Sequence, residues 1–287
     1  MKTFSFVAAL ALLAFFRASA QVTLELALNQ EQFLPGEPLV VTAKITNRSG
    51  RQIHLGAEAN WLTFSVESTA GRVVIKNSDV PVLGAFDLES SQEATKRVDL
   101  APHFVMSIPG RYKITATLRI KDWSVETPSA PVSFDIITGA KLWAQEFGVP
   151  ATNGAPEMRK FTLEQASYVR SHMRLYVQLS DAAESRILKT SVLGQTVSFS
   201  HPEGQVDRNS ILHTLWQSGA QAFSYCVVNP DGEVIRRETY DDLNTRPRLT
   251  VNNNGEVLVT GGVRRPKPGE IPAVQLPVEA PAVTNGK

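Results

Sequence analysis

Pro109-Gly110-Arg111-Tyr112-Lys113-Ile114-Thr115-Ala116-Thr117-Leu118-Arg119-Ile120 is the stretch whose reading decides the fold. Behind a Pro-Gly turn, Tyr112, Ile114, Ala116, Leu118 and Ile120 alternate with Arg111, Lys113, Thr115, Thr117 and Arg119. A period of two held this long predicts a strand with one buried and one wet face. The same period recurs upstream. Val22, Leu24 and Leu26 alternate with Thr23 and Glu25, Leu39, Val41, Ala43 and Ile45 with Val40, Thr42, Lys44 and Thr46, and Leu62, Phe64 and Val66 with Thr63, Ser65 and Glu67. Shorter apolar runs lie at Gln52 to Leu55, at Val73-Val74-Ile75 and around Val98 and Leu100, and Val132, Phe134 and Ile136 end the set. Pro35-Gly36, Asn47-Arg48-Ser49-Gly50 and Ala70-Gly71 supply turn chemistry between them. Residues 21–138 are therefore expected to form a β-sandwich of seven or eight short strands.

Downstream, Gly139, Gly148, Pro150, Gly154 and Pro156 suggest a connector over 139–156, with Trp143 and Phe147 docking on one domain or the other. Thr162-Leu163-Glu164-Gln165 fits a capping box and so one short helix to about Ser171. The alternation of Phe161 and Leu163 leaves a strand as the other reading. From Leu175 the period of two returns, and Asn229-Pro230-Asp231-Gly232 and Asn252-Asn253-Asn254-Gly255 mark hairpin turns. The expected fold class is all-β: a sandwich followed by a second antiparallel β-meander domain over 157–263. Leu175, Leu212 and Glu256 open comparable strands 37 and 44 residues apart, near the period of propeller blades. A closed ring needs at least about four blades. The chain has room for about three, so an open meander or second sandwich is expected. Residues 264–287 contain Pro266, Pro268, Pro272, Pro277 and Pro281 without strand periodicity, the composition of a disordered tail.

The first twenty residues have the layout of a secretory signal: Lys2, an apolar run from Phe4 to Phe16 and Ala18-Ser19-Ala20 at a cleavage site before Gln21. An exported protein with no membrane insertion after signal removal is the expectation, periplasmic or extracellular. Without Lys2 and Arg17 the 29 basic side chains become 27, against 28 acidic ones. Such a balance gives no electrostatic case for nucleic acid. Cys226 is the only cysteine, so no disulfide forms within the chain. It sits in the run Phe223 to Val228, where a small buried apolar role is expected over a reactive thiol. Asn47-Arg48-Ser49 matches a glycosylation sequon.

Phe33-Leu34-Pro35-Gly36-Glu37-Pro38, running into Val41 to Asn47, resembles the opening of bacterial immunoglobulin-like modules. Pro109-Gly110-Arg111-Tyr112-Lys113-Ile114 resembles their later Gly-x-Tyr strand. The resemblance implies that Tyr112 is a tyrosine-corner residue and that Ile114 stands where antibody domains place a cysteine. With no cysteine pair, the similarity is to fibronectin-like, macroglobulin-like or BsuPI-type inhibitor modules.

His54, His103, His172, His201 and His213 lie far apart, without metal-ligand spacing. His213 is the exception to watch: it lies on the face opposite Leu212 and Thr214, with Asp207 and Ser210 upstream and Glu256 on a candidate neighbouring strand. Asp231, Glu233, Asp241 and Asp242 form a local acidic group that, paired across a cleft, would suit glycoside hydrolysis. No catalytic residue, metal ligand or cofactor is assigned. The expectation is an exported, non-enzymatic binding or scaffold protein for a protein or carbohydrate ligand, with Trp123, Trp216 and His213 as candidate ligand-binding residues. The alternatives are a secreted proteinase inhibitor of BsuPI-like type and an extracellular glycan hydrolase.

Overall fold

The computed structural model describes residues 22–150, 154, 156–169 and 172–266. The expected signal segment lies outside these residues, as does the expected tail beyond Pro266. The N-terminal strands are β1 (Val22–Leu28), β2 (Gln32–Phe33), β3 (Val40–Asn47), β4 (Ile53–Leu55), β5 (Leu62–Ser68), β6 (Phe86–Leu88), β7 (Glu93–Asp99), β8 (Gly110–Ile120), β9 (Val125–Pro128) and β10 (Val132–Ile136). Then come β11 (Ala140–Val149), β12 (Glu157–Val169), β13 (His172–Asp181), β14 (Ile187–Thr196), β15 (Glu203–Val206), β16 (Leu212–Gln217), β17 (Ala222–Val228), β18 (Val234–Asp241), β19 (Arg248–Val251), β20 (Val257–Thr260) and β21 (Val263–Arg264). The chain is all-β, with several antiparallel sheets.

The quoted stretch is β8. It runs antiparallel to β5, β9 and β10, and β2 adds to β10 in parallel. A second sheet, β1-β3-β7, faces it. Tyr112, Ile114, Ala116, Leu118 and Ile120 are all buried in one cluster with Val22, Leu24, Val41, Ala43 and Ile45 of the facing sheet. The Tyr112 hydroxyl donates to the Ile108 carbonyl at 2.6 Å, the bond of a tyrosine corner. Its ring stacks on Phe134, 5.6 Å between centroids, and Phe134 meets Phe33 edge-on. Trp61 is core too, its indole N–H donated to the Val82 carbonyl at 2.8 Å. The strand expected at Val73-Val74-Ile75 does not join a ladder. It forms an irregular ribbon with 103–109 around one antiparallel bridge, Lys76 to Phe104.

The C-terminal strands build two meanders, β11-β12-β13-β14 and β15-β16-β17-β18-β21, and the hairpin β19-β20. The two larger sheets share one core containing Phe147, Phe161, Leu163, Leu175, Val177, Leu212, Trp216 and Cys226. Two expectations are corrected here. The stretch expected as a connector holds β11, because Phe147 is buried and stacks on Phe161 at 4.3 Å. The helix alternative at Thr162 to Ser171 gives way to β12. Phe161 and Leu163 are buried on one face, and Thr162 and Glu164 on the other, so both faces of the strand are covered. A helix would surrender that two-sided burial for one capping interaction worth about 1 kcal/mol. Leu175 lies in an inner strand, Leu212 starts the second of five and Glu256 precedes an edge of the small hairpin, so the three repeat positions are not structurally equivalent. Gly204 is required where β15 meets β11: a Cβ there would lie 2.6 Å from the Trp143 ring.

The turn Leu34-Pro35-Gly36-Glu37 ties the N-terminal sandwich to the meanders. Glu37 N–H donates to the Leu34 carbonyl at 3.1 Å, and Gly36 has φ +77°. Proline then glycine at the two central positions is the type II signature. Leu34 packs into Ala166 and Tyr176, flanked by Ile137 and Val192. Thr190 of β14 donates its hydroxyl to the Pro35 carbonyl at 2.6 Å and its N–H to the Gly36 carbonyl at 3.0 Å.

A Cβ on Gly36 would come within 2.6 Å of Ile187 Cγ2. Gly36→Ala is therefore expected to cost about 1–2 kcal/mol for the left-handed backbone, and more for the contact, read as a lower urea midpoint. Tyr112→Phe is expected to cost roughly 1–2 kcal/mol through the Ile108 carbonyl it leaves unpaired, by the same measurement.

Candidate functional site

Strand alternation gives the five-stranded sheet two unlike faces. Leu212, Trp216, Cys226 and Val228 point into the core shared with the other meander. Leu215, Phe223, Tyr225 and Val227 form a smaller cluster on the opposite face, capped by Leu249 and Val259 of the β19-β20 hairpin. The register pairs Leu215 with Tyr225, Tyr225 with Glu238 and Tyr240 with Arg264. That second face thus carries a polar strip of His213, Tyr225, Arg236, Glu238, Tyr240 and Arg264.

His213 Nδ1 is 2.7 Å from the Tyr225 hydroxyl. Asp207 Oδ2 lies 3.5 Å from Nε2, longer than a hydrogen bond. We assign the ring proton to Nε2, facing the carboxylate, and let Nδ1 accept from Tyr225. The other Asp207 oxygen accepts from the N–H groups of Asn209 and Ile211 at 2.8 and 2.9 Å, an Asx turn that fixes the carboxylate. Burial pushes the His213 pKa down, opposed by Asp207 and assisted by Arg236. Burial likewise raises the Tyr225 hydroxyl. Arg236 lies over the Tyr225 ring, 5.8 Å from its centroid, and donates to Glu238 at 2.7 and 3.0 Å. Tyr240 donates to the other Glu238 oxygen at 2.9 Å. Burial opposes the Glu238 charge, but these donors outweigh it and hold the carboxyl below its usual value.

The arrangement holds protons at fixed atoms, and the two further groups named for a triad lie elsewhere. Ser210 donates to the Gly148 carbonyl at 2.6 Å, and Glu256 accepts from Asn252 at 2.7 Å, so neither completes a triad with His213. The acidic group is also dispersed. Asp231 pairs with Arg159, Glu233 with Lys189 and Asp241 with Arg265. Asp231 lies in the turn before β18 and Asp241 at the far end of that strand. Among the described residues no group of three His, Cys, Asp or Glu could hold a metal ion, and no helix is long and apolar enough to cross a membrane.

Trp216 is corrected as an exposed stacking surface. It is 1% exposed, and its indole N–H is donated to the Gln195 carbonyl at 2.9 Å. Alternation with His213 places it on the inward face, so its ring borders only a recess of about 340 Å³ with Cys226 and Arg237. Trp123 ends a 3-10 turn, Lys121–Trp123, and is half-buried against the first core. Asn47 is fully buried and donates its amide to the Arg51 and Leu88 carbonyls at 2.7 and 2.9 Å, so the sequon nitrogen is occupied in the folded chain. Tyr225 is the member of the His213 group that sequence reading missed. The signal was available: Tyr225 and His213 share the outward phase of adjacent strands.

No protein-family model and no curated protein matches the chain. Among solved structures, the crystal structure of Spo0M, a sporulation control protein from Bacillus subtilis, is similar at 10% identity over 59% of this chain and 83% of that chain, with a TM-score of 0.33.

Two outcomes follow from this chemistry. His213 titrates lower in the folded chain than its ordinary value of about 6.5. As pH falls below that, the unfolded chain takes up a proton the native chain refuses, so stability drops until the folded value is passed. His213→Asn is expected to flatten that slope between about pH 7 and pH 5, seen as a smaller shift in urea midpoint than in wild type. Burial raises the Cys226 thiol to about 11. It is therefore expected to stay unmodified by iodoacetamide in the native chain and to react once urea unfolds it.

Proposed function

We propose that the chain is an exported binding protein without a catalytic role, and that it grips a protein ligand through the ribbon formed by 72–77 and 103–109. The signal-like first twenty residues support export. The observation that carries the binding reading is the outward row of the ribbon. Val73, Ile75, Val105 and Ile108 are 91%, 61%, 40% and 50% exposed. Their alternate neighbours Phe104 and Met106 are buried in the sandwich core, with Val74 packed against it. Backbone bonds from Val105 N–H to the Ile75 carbonyl and from Asn77 N–H to the His103 carbonyl, 2.9 and 2.8 Å, hold the ribbon in place. Apolar side chains grouped on a fixed, solvent-facing surface mark interaction sites far more often than scattered ones do.

A second reading draws on the same ribbon. An extended segment clamped from beneath and presented at one end of a β-sandwich suits a proteinase inhibitor, the activity implied by the BsuPI-type resemblance. Its backbone is already ordered, which lowers the entropy cost of entering a protease cleft.

Val73→Asp/Ile75→Asp should leave the near-UV spectrum unchanged, since both side chains face water. Wild type, cross-linked in the exported fraction of its source cells, is expected to give a discrete heterologous species that the double variant loses. The same species with both proteins, or none with either, would overturn the binding reading. Inhibition of a secreted serine protease at about micromolar wild type, lost in the double variant, would select the inhibitor reading; no inhibition across a panel removes it.

A further inference from the structure

Beside the docked Leu34–Glu37 turn lies a cleft of about 380 Å³ walled by both parts of the chain. One wall carries Glu37 with Gln30, the other Arg174 and Arg237, and Val192 and Val234 supply apolar surface. Glu37 is the unusual group. It is 5% exposed, and each carboxylate oxygen takes one donor: Gln30 Nε2 at 2.8 Å and the Leu34 N–H at 2.9 Å. A carboxylate oxygen accepts two hydrogen bonds, so acceptor capacity remains on both. Across the cleft the Arg237 guanidinium is fixed by the carbonyls of Val192 and Leu193. Arg174 is close enough to Glu37 to act on its ionisation.

We propose that this cleft binds a small zwitterion of the α-amino-acid or dipeptide class, with its ammonium on Glu37 and its carboxylate towards Arg174 and Arg237. Size selects the class. Ligand pockets run from about 300 to 1,000 Å³, and this one is near the lower limit. Charge selects it further. A simple anion would meet the buried Glu37, and a simple cation would meet two guanidinium groups. A molecule with both charges a few ångströms apart is attracted at each end. Burial pushes the Glu37 carboxyl up from its ordinary value, against the pull of Leu34, Gln30 and Arg174. An arriving ammonium would supply a counter-charge where water is already excluded. The site is distinct from the apolar ribbon and does not depend on the ribbon's role.

The test is calorimetric titration of the whole mature chain with free amino acids and unmodified dipeptides, alongside N-acetylated and C-amidated forms of each dipeptide. Saturable binding by at least one unmodified zwitterion is expected, weakened about tenfold or more by either block. Glu37→Gln should reproduce the loss seen with acetylation, and Arg174→Gln the loss seen with amidation. Val73→Asp/Ile75→Asp should bind as wild type does. The blocked ligands need no variant, so a misfolded Glu37→Gln would not rescue the proposal. No saturable binding by any unmodified zwitterion up to about 10 mM, or equal binding of blocked and free forms, overturns it.

Discussion

The hydrogen bonds from Thr190 to the Pro35 and Gly36 carbonyls tie the sandwich to the meanders. They work because the turn that presents those carbonyls is rigid. Proline fixes one central residue, and glycine accepts the left-handed one. Leu34 then fills a small apolar seat beside them. Neutral hydrogen bonds of this kind contribute only about 1 kcal/mol each, so the apolar seat supplies much of the grip. The turn also decides where Glu37 goes: its N–H closes the turn, and its side chain bonds back to Leu34. One four-residue device therefore fixes both the relation of the two halves and the polar wall of the cleft beside it.

The period of two in β8, β3 and β5 was legible from the sequence because each strand buries one face and wets the other. The tyrosine corner came from the resemblance of the stretch from Pro109 to Ile114 to immunoglobulin-like modules, and the Tyr112–Ile108 bond agrees with it. β11 and β12 were harder. Thr162 and Glu164 are polar yet buried, so the pattern of β12 loses its contrast, and the glycines and prolines around β11 mimic a connector. Trp216 is a related case. Leu212 and Trp216 share the phase that meets the larger core, and a period of two does not say which phase faces inward. The position of Asp207 upstream of His213 was legible, and the Asx turn that holds it there came only with the structure. The cleft beside Glu37 could not, because it depends on packing between residues more than a hundred positions apart.

The polar strip on the second sheet shows how a β structure tolerates titratable groups near its core. Tyr225 serves His213 Nδ1, and Arg236 and Tyr240 serve Glu238, while His213 Nε2 has only the charge of Asp207 at 3.5 Å to face. The β19-β20 hairpin covers the apolar end of the same face and leaves the charged end to water. Removing one member would strand another, which costs more than the pair contributes when intact. Such a strip favours a single arrangement of the sheet over close alternatives.

Leu34 and its seat bear on how the chain could be divided. A cut near residue 138 would leave a leucine on one fragment and an Ala166–Tyr176 hollow on the other, each stripped of its cover. The fragments would be sticky towards one another and towards themselves. Exchange of that turn between two molecules would satisfy both scars at once, giving severed or strained chains a direct route to a swapped dimer.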